Sequence, residues 1–136
     1  MATIFDKILD GEILCYKVYE DEHTLVFLDI NPSVKGYLLV IPKERKASLA
    51  ELSDASSAAL IHTTQKMNRL LKEKLNCDGI NHLLADGSAA GQEVMHVHMH
   101  VIPRYKNDSL SIHTKDKVLD LSKDEFKEIQ SQLQTA

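Results

Sequence analysis

Seven consecutive residues of this 136-residue chain have the types and spacing to do chemistry together: His96-Val97-His98-Met99-His100-Val101-Ile102. Imidazole alternates with an apolar side chain until Pro103 and Arg104 close the run. Strict alternation is the pattern of a strand with one buried face. It predicts Val97, Met99 and Val101 against a core and His96, His98 and His100 together on the opposite surface. Neighbouring histidines would sit about 6.6 Å apart along the strand. An ordinary solvent face would carry threonine, lysine or glutamate, so three imidazoles in register point to a site.

Two chemistries suit such a row. A structural zinc needs four converging ligands and a catalytic zinc three. Three histidines on one straight strand do not converge easily, and Cys15 and Cys77 form no metal-type pair. Metal binding is therefore the weaker reading. The stronger one is nucleophilic and acid–base chemistry on an anion, because imidazole titrates at about pH 6.5 and serves as nucleophile or proton donor. Close imidazoles share their titration, which predicts a neutral nucleophile beside a protonated donor. That combination fits displacement at phosphorus, where spread negative charge must be stabilised and a leaving group protonated.

The elements that must hold these residues follow from the rest of the chain. Directly before the row lies Asp86-Gly87-Ser88-Ala89-Ala90-Gly91-Gln92-Glu93, small residues bracketed by glycines. Such a loop either cradles an anion on backbone N–H groups or simply needs glycine for a hairpin turn. Residues 3–11 read as a short helix with Ile4, Phe5, Ile8 and Leu9 at helical spacing. Residues 12–19, 24–30 and 37–41 read as three strands of an antiparallel meander. A long helix, capped by Ser53 or Asp54 and running to about Asn76, buries Leu60, Thr64, Met67, Leu71 and Leu75. Residues 80–85 make a fourth strand. A last helix begins near Ser122, where Ser122-Lys123-Asp124-Glu125 fits a capping box. Its narrow stripe, Phe126, Ile129 and Leu133, implies docking on the body or on a second subunit.

Length predicts one domain over residues 1–136, with a core of about 1–104 and an extension of about 105–136. Hydrophobic residues at 43% and charged residues at 26% permit a real core and argue against disorder. A formal charge of −4 argues against binding of polymeric nucleic acid, which needs a basic surface. No apolar run reaches bilayer-spanning length and the N-terminus has no signal-peptide core, so no membrane role and a cytoplasmic location are expected, with the nucleus open in a eukaryote.

With these residues in view, the chain resembles the histidine-triad (HIT) superfamily, whose motif is His-φ-His-φ-His-φ-φ with φ apolar. All seven positions match at residues 96–102. The resemblance also runs through Ile4-Phe5-Asp6-Lys7-Ile8, Phe27-Leu28-Asp29-Ile30-Asn31-Pro32, Leu39-Val40-Ile41-Pro42-Lys43 and Ala90-Gly91-Gln92-Glu93-Val94. It implies an α+β fold, a HIT-like antiparallel meander sheet with one long and one C-terminal helix. It further implies a homodimer formed through the long helix and the adjoining strand.

The resemblance also implies a reaction, hydrolysis or transfer at the α-phosphorus of a nucleotide, in the manner of the Hint-like branch. The expected substrates are purine nucleoside phosphoramidates or related conjugates of AMP or GMP. By resemblance His98 attacks and carries the nucleotide, His100 contacts phosphate or leaving group, and His96 supports the nucleophile. Asp29 corresponds to the acid that holds the ribose hydroxyls. Ile4, Phe5, Ile8, Phe27 and Ile30 correspond to the pocket for the base, with plain core packing a rival reading for Phe27. Gly91, Gln92 and Glu93 are assigned to the phosphate side, Glu93 through its backbone N–H. No cofactor is expected.

Departures from the family pattern bear on this. The cysteine positions of the structural zinc site found in many relatives hold Thr3 and Asp6, and its two histidine positions hold Tyr37 and Arg45, so no metal is expected. A phosphate-contacting Asn or Gln is replaced by Ala85, which costs about 1.5–3 kcal/mol unless something compensates. Asp86 and His82 are the neighbours able to do so. Two alternatives stay open: a dinucleoside polyphosphate hydrolase close to the Fhit branch, and a nucleotide-binding protein with little turnover.

Overall fold

A computed structural model describes residues 2–112 and 118–134. Five strands, β1 (Lys17–Glu20), β2 (Thr24–Leu28), β3 (Leu38–Pro42), β4 (Gly79–Leu83) and β5 (Met99–Arg104), form one antiparallel sheet in the order β1-β2-β3-β5-β4. Three helices, α1 (Ile4–Leu9), α2 (Asp54–Leu75) and α3 (Lys123–Leu133), complete the α+β architecture.

The sheet is buried on both sides, and alternation along β2 and β3 explains how. Val26, Leu38 and Val40 face α2, where they meet Leu60, Met67 and Leu71 together with Val97 and Val101. Leu25, Phe27, Leu39 and Ile41 face the other way and pack with Phe5 of α1. A strand with apolar residues at every position is what burial of both faces requires. Helix α2 is capped by the Ser53 hydroxyl, which accepts from the Ser56 N–H at 3.1 Å, and it ends on Asn76 in the left-handed region. Gly36, at φ +92°, lets the connection into β3 pass the end of α2, where a Cβ would collide with Leu75.

Three expectations shift. Residues 12–16 are not strand: β1 pairs with β2 only over Lys17–Glu20, and the preceding segment crosses beside α1 as irregular chain. Strand β2 stops at Leu28 because the Asp29 carboxylate accepts the Asn31 N–H at 2.9 Å, a side-chain turn that competes with the ladder. The histidine row is strand only from Met99 onward. Its would-be neighbour Pro42 has no N–H to give across the ladder, and the Val97 N–H instead donates to the Lys46 carbonyl at 2.8 Å. The two-sided alternation survives nonetheless: Val97, Met99 and Val101 pack toward α2, while Phe5 lies edge-on to His96 and His98.

At the end of β5, Arg104 holds Asn81 Oδ1 at 2.7 Å, both Asp108 oxygens at 2.8 and 2.9 Å, and the Leu110 carbonyl, which pins the following turn to β4. Helix α3 has the expected capping box at Ser122, but Phe126, Ile129 and Leu133 all lie exposed and not docked on the body.

Candidate active site

Strands β2, β3 and β5, with α1 above them, wall a cavity of about 280 Å³. His98 and His100 line it from one side and Asp29 and Ile30 from the end of β2. Ile4, Phe5, Ile8 and Phe27 supply apolar wall, and Gly91 and Glu93 approach from the glycine loop. Ile13, Leu14, Cys15, Asn31, Leu39 and Val94 also line it and were missed in the sequence. For Ile13, Leu14 and Cys15 the signal is hidden because residues 12–16 alternate like a strand, although they form a loop folded over the pocket. A more open depression on the far side of that loop is bounded by Lys17, Glu20, Lys43 and Arg45 and contains no triad histidine.

Each histidine has its own environment. His96 is 1% exposed and does not line the cavity; its Nε2 lies 2.8 Å from the Pro42 carbonyl. His98 is buried, with Nδ1 2.7 Å from the His96 carbonyl. A carbonyl only accepts, so the His98 proton sits on Nδ1 and Nε2 keeps its lone pair. His100 stands opposite Leu39 in the β3–β5 register, its Nδ1 2.7 Å from the Tyr37 hydroxyl and its ring 4.8 Å from that of His98. Burial is the main cause pushing all three imidazoles below their ordinary pKa. The closeness of His98, whose protonation would oppose its own, adds to it at His100, which is pushed down to about 4. Burial thus works against the expected protonated donor, because it penalises the charged form of each ring.

Gln92 is turned into its own loop. Its Oε1 accepts the Gly87 N–H at 2.7 Å, and its Nε2 donates to the Ala47 and Val94 carbonyls at 2.9 and 3.1 Å. Both neighbours of Ala85 are engaged by protein groups. Asp86 accepts from the Ser48 hydroxyl and the Leu49 N–H at 3.0 and 2.9 Å, and His82 meets Asn68 at 3.2 Å.

The positions that resemble a zinc site divide. Tyr37 lies with His100. Thr3 and Asp6 form the capping box of α1, and Arg45 approaches Asp6 Oδ1 at 3.5 Å while binding Asp10 at 2.6 Å. Asp6 Oδ1, 3.9 Å from His96 Nδ1, is buried and accepts no hydrogen bond among the described residues. A guanidinium beside that carboxylate occupies the place of a cation, so this donor set does not fit a metal. The backbone and hydroxyl bonds from Thr3, with Arg45 beyond, hold the Asp6 carboxyl below its usual range.

An imidazole lone pair, a second imidazole beside it and an acid at the strand end make a nucleophilic site in an apolar-walled pocket. The model of the HIT domain matches residues 10–107. The chain belongs to the HIT family. It is 44% identical over 133 residues to an uncharacterized HIT-like protein of Borreliella burgdorferi, covering 96% of this chain and 94% of that one. It is 42% identical over 104 residues to the adenosine 5'-monophosphoramidase of Schizosaccharomyces pombe, covering 76% and 75%. The crystal structure of a HIT family member from Bacillus subtilis superposes with a TM-score of 0.89 at 37% identity, covering 98% of this chain and 95% of that one. The fold of this HIT protein is therefore that of its family.

Proposed function

We propose that this HIT protein cleaves purine nucleoside phosphoramidates, or related conjugates of a nucleoside monophosphate, through a nucleotide carried on His98. The observation that carries the reading is the fixed proton of His98: with Nδ1–H spent on the His96 carbonyl, Nε2 is an oriented lone pair at the cavity wall. Support also comes from the monophosphoramidase activity in the name of the fission-yeast relative.

In the first step His98 Nε2 attacks the α-phosphorus. A P–N bond to Nε2 forms as the bond to the leaving amine breaks, and the departing nitrogen takes its proton from solvent. In the second, water attacks the same phosphorus and the P–N bond to His98 breaks, which releases the nucleoside monophosphate. Asp29 has one oxygen held by the Asn31 N–H, and the other, with no hydrogen bond among the described residues, would take the ribose hydroxyls. The apolar wall of Ile4, Phe5, Ile8, Phe27 and Ile30 takes the base. A pairing of two copies through α2 and β4 is part of the proposal. It is supported by the edge position of β4 and by exposed Leu83 and Ile61 at 41% and 56%.

The test is a substrate panel read by nucleotide release. Adenosine phosphoramidate should yield AMP faster than diadenosine triphosphate does; the reverse order assigns the protein to dinucleoside polyphosphate hydrolysis. Micromolar AMP binding without turnover of any conjugate would favour a binding protein, a reading that Ala85, with no donor to offer phosphate, keeps specific.

A further inference from the structure

We propose that Tyr37 is a positioning residue that fixes the tautomer of His100, holding an Nε2–H toward the cavity, so that His98 and His100 carry opposite tautomers. The catalytic use of this pair rests on the reaction proposed above; the tautomer itself does not.

The geometry is direct. The Tyr37 hydroxyl is 2.7 Å from His100 Nδ1, and the two rings meet edge to face at 5.7 Å and 85°. Tyr37 precedes β3 and His100 lies on β5, so the bond ties the two central strands at the mouth of the site. Among the described residues this is the one side-chain hydrogen bond of the Tyr37 oxygen in which its proton has an unprotonated nitrogen to meet. Burial, with the Asp29 charge nearby, pushes the phenol up, so it stays protonated at neutral pH. A phenol O–H is a far stronger acid than a neutral imidazole N–H, and an imidazole nitrogen is a better acceptor than a phenol oxygen. The hydroxyl therefore donates and Nδ1 accepts. Neutral imidazole carries one ring proton, which leaves it on Nε2.

The neighbouring ring is arranged the other way. His98 is anchored by an acceptor, the His96 carbonyl, and so presents a lone pair. His100 is anchored by a donor, and so presents a proton. With ring centroids 4.8 Å apart, lone pair and proton stand side by side without either ring being charged. Displacement at phosphorus needs both: one to form the bond, the other to meet the phosphate oxygen or the leaving nitrogen. The donor is supplied by choice of tautomer rather than by an imidazolium, which suits a pocket whose burial resists charge.

Nitrogen-15 NMR of the histidine-labelled full chain reads the tautomers without reference to activity. The expected wild-type pattern is Nδ1–H for His98 and Nε2–H for His100. Tyr37→Phe should leave the His98 pattern intact, which also reports a native fold, and give His100 a mixed or reversed one. Nδ1–H at His100 in the wild type, or an unchanged His100 in the Phe variant, would overturn the proposal. A kinetic arm tests its use. Tyr37→Phe should lower kcat roughly ten- to a hundredfold on phosphoramidates of poorly leaving amines, the loss of one hydrogen bond to a charge-developing group. KM and turnover of well-leaving ones should change little, and Tyr37→His should restore part of the loss. Equal losses on both substrate types would remove the role in leaving-group departure. If the wild type released no nucleotide at all, the proposed reaction would fail while the NMR pattern still decided the tautomer.

Discussion

The carbonyl oxygen of His96 lies 2.7 Å from Nδ1 of His98, so the backbone of one triad member sets the proton of the next. This bond is available because residues 96–98 leave the sheet ladder: before Met99 the segment has no ladder partner among the described residues, and His96 itself is locked to the Pro42 carbonyl. The break in the strand is thus part of how the site is built.

Gln92 braces the glycine loop, and its removal strands one N–H and two carbonyls that are buried or half-buried. Gln92→Ala should cost about 1–3 kcal/mol in urea denaturation and lower kcat/KM as the loop loosens. A rise in KM with unchanged stability would show instead that Gln92 touches substrate directly.

Phe5 is the wall shared by the pocket and the triad, with ring centroids 5.6 Å from Phe27, 5.9 Å from His96 and 5.0 Å from His98. Phe5→Ala should destabilise the chain by about 3–5 kcal/mol, and Phe5→Leu by less than about 1.5 kcal/mol. Both should weaken AMP binding, measured by calorimetry. An Ala variant as stable as the wild type would contradict the packing described.

Acid should destabilise the protein. All three triad histidines are held below the ordinary pKa, chiefly by burial, with His100 at about 4. The unfolded chain takes up those protons at about pH 6.5, before the folded one does. Their contribution is therefore complete above about pH 6.5 and is lost as pH falls toward 4. Thermal midpoints should decline across that window, while kcat/KM keeps its plateau to below pH 6.5 because burial holds His98 below its ordinary pKa. A midpoint that rises on acidification would contradict this.

Much of the frame was legible in the sequence. The stripe of α2, its Ser53 cap and the capping box at Ser122 depend on local spacing, and they stand where that spacing puts them. The meander and the two-sided burial of β3 follow from residue type along short runs. What was not legible depends on partners far away in the chain. Residues 12–16 alternate like a strand, but among the described residues only the Tyr16 carbonyl reaches β2, accepting the Leu28 N–H at 3.0 Å, before the ladder starts at Lys17. The row at 96–98 leaves the ladder because Pro42, more than fifty positions earlier, lacks an N–H. Burial of the imidazoles, and with it the penalty on a protonated donor, is a tertiary property. So is the Tyr37–His100 bond, which spans 63 positions.

The central claim is that Nε2 of His98 becomes bonded to phosphorus. Rapid-quench incubation with adenosine phosphoramidate, followed by peptide mass spectrometry under neutral conditions, tests it. The account predicts a transient adenosine monophosphoryl group on His98, lost in His98→Ala together with AMP release. Normal AMP release by His98→Ala, or an adduct on His96 or His100 instead, would contradict it.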